Sequence, residues 1–205
     1  MLFSLLTAAL LAPTFQASPF TRGVTQPREL LDTAVAAPIA KRLSLDLKSG
    51  GAVKITGGAD KVVRIRVTDA GKPCGDCGVT LEQGSAGLQV RSTRVASAGK
   101  LQFEIEVPEH FDLQLASAGG EVSIEGVDGE IKGQTETGAL ELRRLSGMVD
   151  LQTKRGNVTL RESYASGRVH TTDGRVLLED VGGTVAGSTA SGRLIERRVE
   201  RPVAQ

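Results

Sequence analysis

From residue 120 to residue 200, apolar side chains return at fixed distances along the chain. Written in lines of nine, this stretch reads GEVSIEGVD, GEIKGQTET, GALELRRLS, GMVDLQTKR, GNVTLRESY, ASGRVHTTD, GRVLLEDVG, GTVAGSTAS and GRLIERRVE. The third column holds Val122, Ile131, Leu140, Val149, Val158, Gly167, Val176, Val185 and Leu194, and the fifth is mostly Ile, Leu or Val. Side chains of a strand alternate between its two faces, so columns three and five are expected to share one interior. Eight of the nine lines begin with glycine: Gly120, Gly129, Gly138, Gly147, Gly156, Gly174, Gly183 and Gly192. The line beginning at Ala165 is the irregular one.

Successive lines differ in kind, which doubles the period. Odd lines carry an apolar eighth residue (Val127, Leu145, Val181, Val199), with Ser163 as the exception, whereas even lines carry Thr135, Thr153, Thr171 and Thr189 at the seventh position. A column of one residue type at constant spacing predicts stacked coils, each residue about 4.8 Å above its counterpart. The expected fold is all-β, a single-domain β-solenoid whose coils of about eighteen residues are two nine-residue, glycine-started strands joined by two glycine corners. Glycine suits a corner that needs an unusual backbone conformation or close approach to the next coil. Threonine in such a column is expected to form a hydrogen-bonded ladder. Outward columns place Glu125 beside Arg143, Arg161 beside Glu179, and Lys132, Asp150 and Arg168 in alternating sign, which marks register.

The phrase also appears upstream. "GAVKITGGADKVVRIRV" (residues 51–67) aligns Gly51, Val53, Ile55, Gly57 and Val62 with Gly120, Val122, Ile124, Gly126 and Ile131. An excursion over 68–100 follows before "LQFEIEVPEHFDLQLASAGG" leads back in, with Pro108 interrupting the ladder. At the N-terminus, "MLFSLLTAALLAPTFQAS" is an apolar run too short for a comfortable membrane span. Residues 1–17 are therefore expected to be a signal peptide or uncleaved anchor and 18–42 a linker with one short helical turn. Residues 43–200 are expected to form the solenoid, and 201–205 a tail. Export to the periplasm or cell surface of a bacterium follows from that leader.

Residues 105–142, with "VPEHFDLQL", "SAGGEVSIEGVDGEI" and "TETGALEL", then "KRGNVTL" and "TDGRVLLEDVGG", resemble a bacterial β-strand-repeat family of unknown function with an adhesin-like label. The resemblance spans roughly residues 43–195. It implies an exported or tethered β-solenoid, some relatives of which belong to envelope-stress systems, and it supplies no catalytic residues. The inserted "GKPCGDCG" departs from the family's pattern.

Composition narrows the chemistry. With 25 Lys and Arg against 24 Asp and Glu, the net charge is +1, so no field gathers nucleic acid. There is no Trp and a single Tyr among the 205 residues. Calcium-binding nonapeptide repeats require a GGxGxD phrase that these lines lack, and hexapeptide coils require an aliphatic residue every sixth position, where Asp128 and Gln134 stand instead. Cys74 and Cys77 are expected to form a disulfide closing a turn; thiol exchange would need a depressed thiolate pKa, and a four-ligand zinc site would need His110 and His170, which lie far along the chain on different predicted elements. His170 shares an outward column with Gln134, Gln152 and Ser188, and His110 sits in a turn. Arg193, Arg197, Arg198 and Arg201 are expected to solvate the last coil. No catalytic residue, metal site or cofactor is predicted. The expected role is a non-enzymatic envelope module binding a protein or polysaccharide, with an envelope-stress sensor or a redox accessory protein using the CGDC pair as alternatives.

Overall fold

The computed structural model describes residues 28–37, 41–70, 78–93 and 101–200. The fold is all-β. Among the described residues fifteen strands form one sheet that curls into a nearly closed, barrel-like body around a single apolar core. They are β1 (Arg28–Ala36), β2 (Arg42–Leu47), β3 (Ala52–Gly58), β4 (Val62–Asp69), β5 (Val79–Gly84), β6 (Gly87–Ser92), β7 (Leu101–Pro108) and β8 (Asp112–Ser117), then β9 (Val122–Glu125), β10 (Asp128–Thr137), β11 (Leu140–Arg143), β12 (Ser146–Arg155), β13 (Val158–Asp173), β14 (Val176–Thr189) and β15 (Leu194–Glu200).

Two arms of the sheet converge on β13. One runs β1-β4-β7-β3-β9-β11 and the other β5-β6-β2-β8-β10-β12; β14 and β15 continue beyond β13. From β9 onward the pairing is parallel, and each residue meets the one eighteen positions on: Val122 faces Leu140, Leu140 faces Val158, and Val158 faces Val176. In the second arm Leu113 faces Ile131 and Ile131 faces Val149. Leu43 in turn faces Leu113, so strand β2 enters this ladder from far upstream. Alternation decides which side chains fill the interior. Leu140 and Leu142 are fully buried while Glu141 and Arg143, which alternate with them, are exposed.

Three departures from the sequence reading have physical causes. Residues 28–36 lie in the stretch expected to be a linker with a helical turn, yet they form β1, antiparallel to β4. Leu30, Leu31 and Val35 pack partly buried against the core, which gives this edge strand enough apolar contact to hold without strict alternation. Val62 does not continue the parallel register that Val53 and Ile55 share with Val122 and Ile124. It opens β4, which instead runs antiparallel to both β7 and β1. Within residues 68–100, a β5–β6 hairpin returns to the sheet, with Leu88 and Val90 of β6 parallel to Leu43 and Leu45. Antiparallel strands thus cover the end of each arm away from β13, protecting rungs that would otherwise expose core and unpaired backbone.

Candidate functional site

The glycine columns divide into two kinds. A methyl built on Gly120, Gly138, Gly156, Gly174 or Gly192 would run into the carbonyl of the glycine one rung below, Gly51 in the case of Gly120. These glycines are turning points between strands. Gly129, Gly147 and Gly183 instead lie inside β10, β12 and β14. The other bend of the chain is made largely without glycine: Arg144, Glu162, Asp180 and Arg198, in one column with Gly126, all take left-handed backbone conformations, with φ between 49° and 54° for the four side-chain-bearing residues. Gly126 and Asp180 are residue types that tolerate this conformation, but Arg144, Glu162 and Arg198 are not, so the column as a whole did not read as a corner.

The threonine column faces inward. Thr135, Thr153 and Thr171 are buried, and the hydroxyls do not ladder with each other. Thr171 Oγ1 donates to the Gly156 carbonyl at 2.9 Å and Thr189 Oγ1 to the Gly174 carbonyl at 3.0 Å. Thr189 Oγ1 also accepts from the Gly192 amide at 3.0 Å. Buried corner carbonyls need a partner, and a hydroxyl on the facing strand provides it. Ser163, the polar exception in its apolar column, is buried likewise; its Oγ donates to the Arg161 carbonyl at 2.7 Å and accepts from the Leu145 amide at 3.0 Å. Cys74 and Cys77 lie outside the described residues.

The surface with the richest chemistry is the outer face of the second arm. Parallel register stacks Gln114, Lys132, Asp150 and Arg168 in one column and Ala116, Gln134, Gln152, His170 and Ser188 in the next. Ser44 and Asp46 of β2 extend the two columns beyond β8. Ser44 and Ala116 are short beside the glutamines, and two adjoining depressions of about 460 and 430 Å³ open there, sharing Asp46, Ala116, Gln134 and Gln152. Gln152 Nε2 donates to Gln134 Oε1 at 3.5 Å, and His170 Nδ1 lies 2.8 Å from Ser188 Oγ. Arg168 holds Asp150 through two bonds of 3.1 Å, which keeps the Asp150 carboxyl below the usual carboxylate range and raises the guanidinium.

The sequence placed Gln134, Gln152, His170 and Ser188 in one outward column, and the register agrees. It missed that Ser44, Asp46, Gln114 and Ala116 extend the same face. The signal was present: "LSLDL" at 43–47 has the alternation of "LQLAS" at 113–117.

The remaining candidates separate. His110 stands at a corner, with Nδ1 2.8 Å from Asp128 Oδ2. On the first arm Arg161 pairs with Glu179 at 3.1 Å, but Arg143 turns to Glu162 and Glu125 to Arg144, because the left-handed corner brings residues 144 and 162 within reach. At the last rung Arg197 and Arg198 approach Glu179 at 3.8 and 3.7 Å, and Arg198 binds Asp180 through two bonds, Nε to Oδ1 and Nη2 to Oδ2, the latter at 2.6 Å. That contact lowers the Asp180 carboxyl pKa. Among the described residues no cluster of three or more His, Cys, Asp or Glu is arranged to hold a metal ion, and no helix is long and apolar enough to cross a membrane.

No protein-family model matches the chain, and no curated protein matches it. Among solved structures, a Clostridium sporogenes ATCC 15579 protein described as a "putative cell adhesion protein" aligns over 86% of this chain and 100% of its own, at 11% identity and a TM-score of 0.42. A Parabacteroides merdae ATCC 43184 protein described as a "putative adhesin" aligns over 84% of this chain and 96% of its own, at 10% identity and a TM-score of 0.25. Likeness at these scores transfers neither ligand nor role.

Proposed function

We propose that this chain is an exported, non-enzymatic binding or scaffold module of the bacterial envelope, built as a β-solenoid with the outer face of its second arm as the contact surface. The observation that carries the reading is that face: stacked amide, carboxylate, guanidinium and imidazole groups on rigid parallel strands, interrupted by two adjoining depressions. Rigid strands hold polar groups at fixed spacing, which suits recognition of an extended partner more than enclosure of a small substrate. On this face Asp150 is engaged by Arg168, and His170 meets the Ser188 hydroxyl at 2.8 Å; that pair is exposed, and among the described residues no carboxylate hydrogen-bonds the imidazole to orient it as covalent chemistry requires.

The test is photo-crosslinking in the native host, with the crosslinking residue placed at Gln134 on this face or at Glu141 on the first arm. Mass spectrometry then identifies the adducts and the protein's own N-terminus. The reading expects a discrete envelope adduct at position 134, little at 141, and a processed or membrane-held leader. Adducts to cytoplasmic proteins alone, with Met1 retained and free in the cytoplasm, would overturn it.

A further inference from the structure

We infer that the partner of this face is an extended, uncharged glycan lying across the strands, with about one sugar ring per rung. The inference rests on the reading of this face as a contact surface and names its ligand class. The first support is electrostatic. Every lysine and arginine lining the two depressions has a carboxylate within 4.0 Å: Lys48 with Asp46 at 4.0 Å, Lys132 with Glu130 at 2.5 Å, Lys154 with Glu136 at 3.2 Å, and Arg168 with Asp150 at 3.1 Å. An anionic polymer gains affinity from cations that lack such partners, which release the counterions condensed on the polymer. Here those charges are already compensated, and an incoming anion would meet as many carboxylates as cations.

The second support is the hydrogen-bonding inventory that remains. Gln114, Gln134 and Gln152 each carry a donor and an acceptor at one terminus, the combination that matches a hydroxyl, which is itself both. They sit on three successive rungs, β8, β10 and β12. Rungs are spaced about 4.8 Å apart, which is commensurate with the advance of one pyranose ring in an extended β-linked chain. Ser44 and Ala116 leave room above the strands for a chain to settle between the taller side chains. The lining of the depressions contains no Phe, Tyr or Trp, so no large aromatic face concentrates the affinity on one sugar. Binding must then accumulate over several rungs, and it should depend on glycan length.

The experiment is calorimetric titration of the full chain with β-1,4-linked N-acetylglucosamine oligomers from dimer to hexamer and with cellohexaose. A heparin-derived hexasaccharide serves as the anionic comparison. The expected result is binding of an uncharged hexamer about tenfold tighter than its dimer, unchanged across about 0.05–0.5 M salt. It should weaken by about tenfold or more in a Gln134→Ala/Gln152→Ala variant whose far-ultraviolet spectrum matches wild type. The inference is overturned if neither neutral hexamer binds, if the double variant binds as well as wild type, or if only the heparin fragment binds with steep salt dependence. A protein adduct at position 134 in the host, together with failure of both hexamers, would leave the contact surface standing and remove the glycan. Absence of any adduct at position 134 would remove both.

Discussion

Replacing Gly138 with alanine puts a methyl group against the backbone of the rung below. The new Cβ would lie inside the contact distance of the Gly120 carbonyl oxygen and 2.6 Å from its carbon, and both belong to main chain that cannot rotate aside. The φ of Gly138 is +121°, a region that side-chain-bearing residues enter at a cost of about 1–3 kcal/mol. Relieving the overlap requires the rungs to part where Val122 N donates to the Ala139 carbonyl at 2.9 Å. Loss of this bond adds about 1 kcal/mol, for a total of about 2–4 kcal/mol. That is a large fraction of the roughly 5–15 kcal/mol that holds an ordinary domain folded. The matched control is Gly84→Ala in β5, where a methyl meets no atom within 4 Å. It should stay within about 0.5 kcal/mol of wild type, or gain slightly from a less flexible unfolded chain. Urea unfolding followed by far-ultraviolet circular dichroism reports both, provided the m-values agree. A loss below about 1 kcal/mol for Gly138→Ala, or an equal loss for Gly84→Ala, would refute the argument from rung contact.

Three further expectations follow from the same structure. Thr171→Val keeps the shape of a fully buried side chain but leaves the Gly156 carbonyl without its 2.9 Å donor, so stability should fall by about 1–3 kcal/mol while Thr171→Ser stays closer to wild type in urea melts. Glu162→Gly relieves a left-handed backbone at φ 51° and sacrifices an exposed pair with Arg143; the two effects oppose, and the variant should lie between neutral and about 1 kcal/mol more stable by the same assay. Because the Asp150 carboxyl is held below its ordinary pKa by Arg168, the pair stabilises the fold above about pH 3.9 and loses that contribution as the pH falls further. The urea midpoint of Asp150→Asn should therefore trail wild type at neutral pH and low salt, and the gap should narrow as the pH falls below the ordinary carboxylate range; a gap independent of pH would contradict the assignment.

Much of the sheet was legible because its signals are repeated. Val122, Leu140, Val158, Val176 and Leu194 recur at a spacing that one structural period satisfies, and their cross-strand pairing has the eighteen-residue offset that the columns imply. Strands present only once carried weaker signals. In β1 the burial of Leu30 and Leu31 in succession defeats a two-residue pattern, and its antiparallel pairing with β4 is a tertiary choice that no local propensity encodes. The corner at Arg144 and Glu162 was invisible for a different reason. Those residues take a left-handed backbone because the surrounding rungs impose it, and composition pointed to glycine instead. The polar face was legible residue by residue from β10 to β14. Its extent was not, since β2 joins it across about seventy residues of intervening chain.

All of these statements, including the continuity of the polar face, depend on rungs that pair across the eighteen-residue repeat. Through-hydrogen-bond couplings between amide nitrogens and carbonyl carbons, measured by nuclear magnetic resonance on deuterated protein, observe that pairing directly. The account predicts couplings from the Leu140 amide to the Asn157 carbonyl and from the Val158 amide to the Arg175 carbonyl, each bond being 2.8 Å long. Coupling of these amides to carbonyls of an adjacent hairpin, only a few residues away in sequence, would contradict it.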